Sequence, residues 1–381
     1  MELSIISFTG GGRELAKEIR SLTESELTVR LYCKSADWRE QGEEIEVLND
    51  SISGWAGKQF EQGRAMLFIG ALGIAVRAIA PHLKDKLTDV PVLVMDEKGK
   101  FIIPVLSGHF GGANELAGLL AGRKGAVCVT TTATDINGLF SVDVFARKNN
   151  LAVYPKEGIK QVSSALLAGK QVTIAVDGKY EGTIPNELTH LRMDRAAEAD
   201  EVSVLVSPRR NRRIKAQLRL YPKVLLLGIG CRKGKSAEEL EQAVKAQLEE
   251  HGLPLEAVAG IASISIKKEE PGLIELAETL GLPFYTFSGE ELCRLEGDYS
   301  VSEFVREQTG VGNVCERAAM AACGTGGRII LKKQAGNGIT IAAAEKKWSV
   351  FFDETESNCN RNRAGNGRDD ECAGAGGFGG V

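Results

Sequence analysis

Ser107-Gly108-His109-Phe110-Gly111-Gly112-Ala113-Asn114-Glu115 gathers a hydroxyl, an imidazole, an amide and a carboxylate on one glycine-rich segment. Histidine exchanges protons near neutral pH, and the serine, asparagine and glutamate beside it supply hydrogen bonds and an acidic neighbour. Glycines let a ligand approach the main chain. A helix starting after such a turn offers unpaired N–H groups and a positive dipole end to a carboxylate or phosphate. The pattern suits a general base beside an anion cradle, and it equally suits a structural turn carrying an exposed histidine.

A second group lies at Val129-Thr130-Thr131-Thr132-Ala133-Thr134-Asp135-Ile136-Asn137-Gly138. At a strand end Asp135 can orient a histidine or activate water, or simply cap the next helix. The turn Gly70-Ala71-Leu72-Gly73 follows another apolar run, but the full G-x-G-x-x-G spacing of a dinucleotide site is missing. Arg77, His82, Lys84 and Lys86 follow it and can either meet acidic groups of a ligand or form a solvated face. In the C-terminal half, Gly228-Ile229-Gly230-Cys231-Arg232-Lys233-Gly234-Lys235-Ser236 fails the phosphate-loop register, because Ile229 stands where G-x-x-x-x-G-K-[ST] needs glycine. Ser236 with Glu239 forms a capping-box pattern, and Asn313 with Glu316 offers a second cap. Cys315 has no companion histidine nearby, and the four histidines are too dispersed for a metal motif. The serine-hydrolase elbow G-x-S-x-G is absent as well.

The elements that must position these residues read as α/β units, because short Val- and Ile-rich runs alternate with helical periodicity. Strands are expected at Leu3 to Phe8, Thr28 to Cys33, Met66 to Ile69, Val92 to Met95, Phe101 to Leu106, Ala126 to Thr131, Val172 to Val176, Val202 to Val206, Val224 to Leu227, Ile261 to Ile266 and Ile339 to Ala343. Turns at Asp96-Glu97-Lys98-Gly99 and Gly336-Asn337-Gly338 predict two hairpins, so the sheets should be mixed. The basic stretch Ser207 to Arg213 before Tyr221-Pro222 marks a domain boundary, and the Gly-, Asn- and Arg-rich tail at 353–381 should be disordered.

With 381 residues the chain can form two or three domains, and 47 basic against 51 acidic residues leave a net charge of −4. No positive field recruits nucleic acid or anionic membrane. The longest uncharged apolar stretch, Ala65 to Val76, is too short for a bilayer span, and no secretory leader pattern opens the chain. The expected compartment is the cytoplasm. Eight cysteines without a C-x-x-C pair fit reduced thiols.

Several ordered segments resemble the CbiG family of anaerobic cobalamin biosynthesis, the cobalt-precorrin-5A hydrolases. They are Phe68 to Arg77, Ser107 to Ala117, Thr131 to Gly138, Gly228 to Gly234 and Thr309 to Ala319. The resemblance implies a multidomain α/β fold of mixed sheets flanked by helices. Its domains would be N-terminal (1–138), middle (139–221) and a smaller CobE-like C-terminal domain (222–352). It also implies opening of the δ-lactone of cobalt-precorrin-5A, with release of acetaldehyde and cobalt-precorrin-5B. On that reading His109 is the expected base and Asp135 its orienter or the alternative base, with N–H groups around Gly111 and Gly112 holding the oxyanion. Gly70, Gly73, Arg77, Lys84, Ser107, Asn114, Glu115, Gly228, Gly230 and Arg232 are expected to bind the substrate. No cofactor or metal is expected on the protein, since cobalt arrives inside the cobalt-corrinoid substrate. A homodimer is left open. The rival reading is a non-catalytic tetrapyrrole carrier.

Overall fold

The computed structural model describes residues 1–34, 45–85, 87–301, 303, 306–307 and 310–353. The chain divides after Leu139 into two compact units. The expected tail therefore lies outside the described residues beyond Asp353, as does Lys86.

The first unit runs β1 (Glu2–Ser7), α1 (Gly10–Thr23), β2 (Thr28–Cys33), β3 (Ile45–Val47), α2 (Ile52–Glu61), β4 (Ala65–Ile69), α3 (Leu72–Ile79), β5 (Val92–Met95), β6 (Phe101–Leu106), α4 (Ala113–Lys124), β7 (Val127–Cys128) and α5 (Ala133–Ile136). Its sheet has the order β3-β2-β1-β4-β5-β6-β7. Both faces are covered, which is why β4 is apolar throughout. Leu67 and Ile69 pack with α1 and α4, while Met66 and Phe68 pack with α2 and α3 around Trp55. Strands β1 to β5 run parallel, but β6 turns back antiparallel to β5, and β7 follows β6. The reversal is made by the expected hairpin. Asp96 accepts hydrogen bonds from the N–H groups of Lys98, Lys100 and Phe101, and Gly99 takes φ +64°.

The second unit opens with α6 (Val142–Lys148), β8 (Leu151–Tyr154), α7 (Glu157–Leu167), β9 (Val172–Val176), β10 (Lys179–Gly182), β11 (Leu188–Leu191), α8 (Met193–Glu198), β12 (Val202–Val206) and β13 (Ala216–Pro222). It continues with β14 (Leu225–Cys231), α9 (Ala237–Glu250), β15 (Val258–Ile264), α10 (Pro271–Leu280), β16 (Phe284–Phe287), α11 (Gly289–Arg294), α12 (Cys315–Cys323), β17 (Arg328–Gly336), β18 (Ile339–Glu345) and β19 (Ser349–Phe352). Two five-stranded mixed sheets result, β11-β9-β12-β13-β8 and β16-β15-β14-β18-β17. The Gly336-Asn337-Gly338 turn joins β17 to β18, with Asn337 and Gly338 both at positive φ.

These two sheets are stitched together, so the boundary placed at the basic stretch is not a free linker. Arg209 pairs with the buried Glu345, while Arg210 and Arg212 both reach Glu249. β19 returns to pair with β10, and Phe352 stacks on Phe145 at 4.7 Å. A stretch rich in arginine reads as solvated until its acidic partners, distant in sequence, are known.

Candidate functional site

β6, α4 and β7 form one strand–helix–strand crossover, and the loops leaving its two parallel strands meet beyond their C-terminal ends, where ligands gather in α/β sheets. One loop carries His109, and the other leads into α5, which carries Asp135. His109 Nε2 lies 3.1 Å from Asp135 Oδ2 and 3.3 Å from Thr134 Oγ1, with side chains 15% and 25% exposed for the His–Asp pair. A tautomer that donates Nε2–H to Asp135 keeps its basic lone pair on Nδ1.

The local backbone explains why glycines surround this pair. Ser107 takes φ +56°, and its hydroxyl donates to the Asp89 carbonyl at 2.7 Å. A Cβ on Gly111 would lie 2.4 Å from Ser107 Cβ, so the turn closes only with glycine there. Gly112 caps α4 at φ +88°. The buried Asp89 also accepts the Lys84 N–H at 3.0 Å, bringing Lys84 to this edge of the sheet. Asn114 Nδ2 donates to Asp135 Oδ2, while Gly108 leaves room for the Asn114 amide. Asn114 thus holds Asp135 rather than facing open solvent.

Three expectations change on inspection. First, the Gly112 N–H is already committed to the His109 carbonyl at 3.0 Å, and the next two N–H groups go to Ser107 and Gly108. Gly111 N–H has no acceptor among the described residues. Second, Gly70 and Gly73 sit at the opposite edge of the sheet, because Leu106 pairs with Val92 at the start of β5 while β4 ends beside Met95. Three residues of strand, about 10 Å, separate the two edges. Arg77, on the helix that starts there, folds back onto the Gly73 carbonyl. Third, His82 is turned inward: its Nε2 is 2.8 Å from the Ser53 carbonyl oxygen, and its ring fills the space at Gly57.

Sequence reasoning missed Thr9-Gly10-Gly11-Gly12, which caps α1 beside the end of β4 where the strand order reverses between β1 and β4. The small-residue turn before α1 was the signal. Glu115 lies in the first turn of α4. Gly228, Gly230 and Arg232 belong to the second unit. Gly228 is a close-packing glycine, since its Cβ would lie 1.7 Å from the Cys315 carbonyl oxygen. Burial pushes the Cys315 thiol up to about 11, against a nucleophilic role. Among the described residues, no cluster of three or more His, Cys, Asp or Glu side chains is placed to hold a metal ion. No helix among them is long and apolar enough to cross a membrane.

These features define a multidomain α/β protein with a His–Asp pair at the end of a crossover. Family models of cobalamin synthesis G match it in three consecutive pieces: the N-terminal region at 54–135, the central region at 140–222 and the C-terminus at 225–344. The cobalt-precorrin-5A hydrolase of Priestia megaterium is 32% identical over 357 residues, covering 90% of this chain and 94% of that protein. The enzyme of the same name from Salmonella typhimurium is 34% identical over 330 residues, covering 83% and 90%. Protein CobE of a Sinorhizobium species is 29% identical over 126 residues, 32% of this chain and 79% of its own length. The chain belongs to the CbiG family.

Proposed function

We propose that this chain hydrolyses the δ-lactone of cobalt-precorrin-5A to cobalt-precorrin-5B and acetaldehyde. The observation that carries the reading is the alignment of two cobalt-precorrin-5A hydrolases over most of the chain. The His109–Asp135 pair supplies the chemistry that such a reaction needs. His109 takes a proton from water as the water oxygen adds to the lactone carbonyl, and Asp135 stabilises the imidazolium. Gly111 N–H faces the oxyanion. Collapse breaks the acyl–oxygen bond, leaving an alkoxide and a carboxylic acid that loses its proton to solvent. The alkoxide becomes the carbonyl of acetaldehyde as the carbon–carbon bond breaks, and the electron pair of that bond passes into the macrocycle, which takes up the proton held by the His109 imidazolium. Lys84, exposed on the same edge, meets a substrate carboxylate by a charge-assisted hydrogen bond. Arg77 and Gly73 fall outside this site.

The test is anaerobic incubation of the protein with cobalt-precorrin-5A, with acetaldehyde trapped and the corrinoid weighed by mass spectrometry. Acetaldehyde with a matching product mass is expected. Tight binding of the substrate without acetaldehyde would overturn the hydrolase and leave a carrier.

A further inference from the structure

The segment after β7 carries four threonines, Thr130, Thr131, Thr132 and Thr134, and the fold treats one of them differently. Thr134 is 5% exposed, while the other three are exposed or half-buried. A valine would fill the same space with no polar atom to satisfy, so the buried hydroxyl is the feature that needs a reason. Helix capping does not supply it. Thr132 holds the N-cap position of α5, and its side chain makes no cap bond. The partner of the Thr134 hydroxyl among the described residues is His109 Nε2, at 3.3 Å.

The direction of the bonds around that nitrogen follows from the groups present. Asn114 Nδ2 can only donate, so Asp135 Oδ2 accepts from it, and the proton of the 3.1 Å contact between Oδ2 and His109 must then sit on Nε2. Thr134 Oγ1 faces the same N–H and accepts it as the second branch of a three-centre bond. An imidazole turns about a broad, nearly two-fold χ2. One acceptor leaves the ring free to swing about that bond. Two acceptors hold its plane, and turning the ring over would set Cε1 where Nε2 stands and lose both. The hydroxyl is firmly held in its turn. The Thr134 carbonyl accepts the Leu139 N–H at 2.9 Å, the Thr132 carbonyl accepts the Ile136 N–H at 3.0 Å, and a β-branched side chain is stiff at χ1.

We infer that Thr134 is a positioning residue for His109. Its hydroxyl and the Asp135 carboxylate together fix the ring in the tautomer whose lone pair lies on Nδ1, the nitrogen that takes the proton from water. Thr134 acts through His109 alone. The inference deepens the proposed lactone chemistry and rests on His109 being its base.

Nitrogen-15 NMR of the histidine rings in the full chain, without substrate, reads this contact. The His109 signal, assigned by its loss in His109→Ala, should show the proton fixed on Nε2. Thr134→Val removes the hydroxyl and keeps the shape of the side chain, and it should move that signal toward a mixture of the two tautomers. Thr134→Ser should return it. In acetaldehyde release, Thr134→Val should lower kcat about tenfold, the worth of one hydrogen bond, with KM and melting temperature unchanged. Thr134→Ser should recover kcat to within about threefold, since the hydroxyl returns on a less rigid side chain. A His109 ring protonated on Nδ1 in the unaltered chain would overturn the inference, as would a Thr134→Val spectrum or kcat equal to that of the unaltered chain. A lost rate matched by a fall in melting temperature in Thr134→Val would mark a packing role and overturn it too. If the unaltered chain released no acetaldehyde, the lactone chemistry would fall, and the ring spectra would still decide whether Thr134 holds His109.

Discussion

Replacing Gly108 by Ala tests whether Asn114 positions the His–Asp pair without removing any polar group. Gly108 has an ordinary backbone, so alanine is conformationally admissible there. The new Cβ would lie 2.7 Å from Asn114 Oδ1 and 3.1 Å from Nδ2, where ordinary contact begins at 3.4 Å. The amide must retreat by about 0.7 Å, and Nδ2 is the group that holds Asp135. A misplacement near 1 Å costs about 100-fold in rate, so turnover should fall about 10- to 30-fold. Stability should barely move. The obstructing atoms are the tip of a side chain, and the alanine gains roughly 0.4–1 kcal/mol by restricting the unfolded chain. The assay is trapped acetaldehyde per unit time at saturating substrate, beside a thermal melt of the same sample. Full activity would refute the positioning argument. A drop in melting temperature of about 5 °C or more alongside the lost rate would show that the loop had collapsed instead.

Two further outcomes follow from the second unit. Gly228→Ala sets its Cβ 1.7 Å from a backbone oxygen of α12, which no rotamer change relieves, so it should cost about 3 kcal/mol or more, a fall of roughly 6–12 °C by calorimetry; an unchanged melt would contradict that packing. Glu316 is buried and accepts hydrogen bonds from the N–H groups of Ser300 and Lys333 and from the Ser300 hydroxyl. Burial opposes its ionisation, yet these donors hold its carboxyl below the usual range. A depressed folded value means the stabilisation is full above about pH 4.3 and disappears as pH falls through the folded value. Glu316→Gln should therefore cost about 2–3 kcal/mol at pH 7, and the gap to the unaltered chain in denaturant melts should close as pH falls through the folded value. A gap that stays constant with pH would count against the charge being the cause.

Much of the architecture was legible because burial on both sheet faces makes strands such as β4 and β14 unbroken apolar runs. The Asp-Glu-Lys-Gly and Gly-Asn-Gly turns marked their hairpins, and Ser236 with Glu239 marked a complete capping box. The strands that escaped notice are those with polar or short sequences, such as Lys179–Gly182 in β10 and Ser349–Phe352 in β19, whose pairing partners lie far away in the chain. At the site, the residue types of His109 and Asp135 invited the pairing that the structure contains. What could not be read was the edge on which each turn falls. That depends on β4 and β5 running parallel beside the reversed β6, a pairing that no local turn marks and that parts Gly70 and Gly73 from His109. The use of the Gly112 N–H inside its own turn was equally hidden, since it is decided by backbone closure around Ser107.

The most direct test of the central claim is single-turnover acetaldehyde release from cobalt-precorrin-5A by His109→Ala beside the unaltered chain, with substrate affinity measured on both. A base in this position contributes about 100-fold or more, so the variant should bind the corrinoid normally and release acetaldehyde at least about 100 times more slowly. Equal rates would show that the water is activated elsewhere and would remove His109 from the reaction.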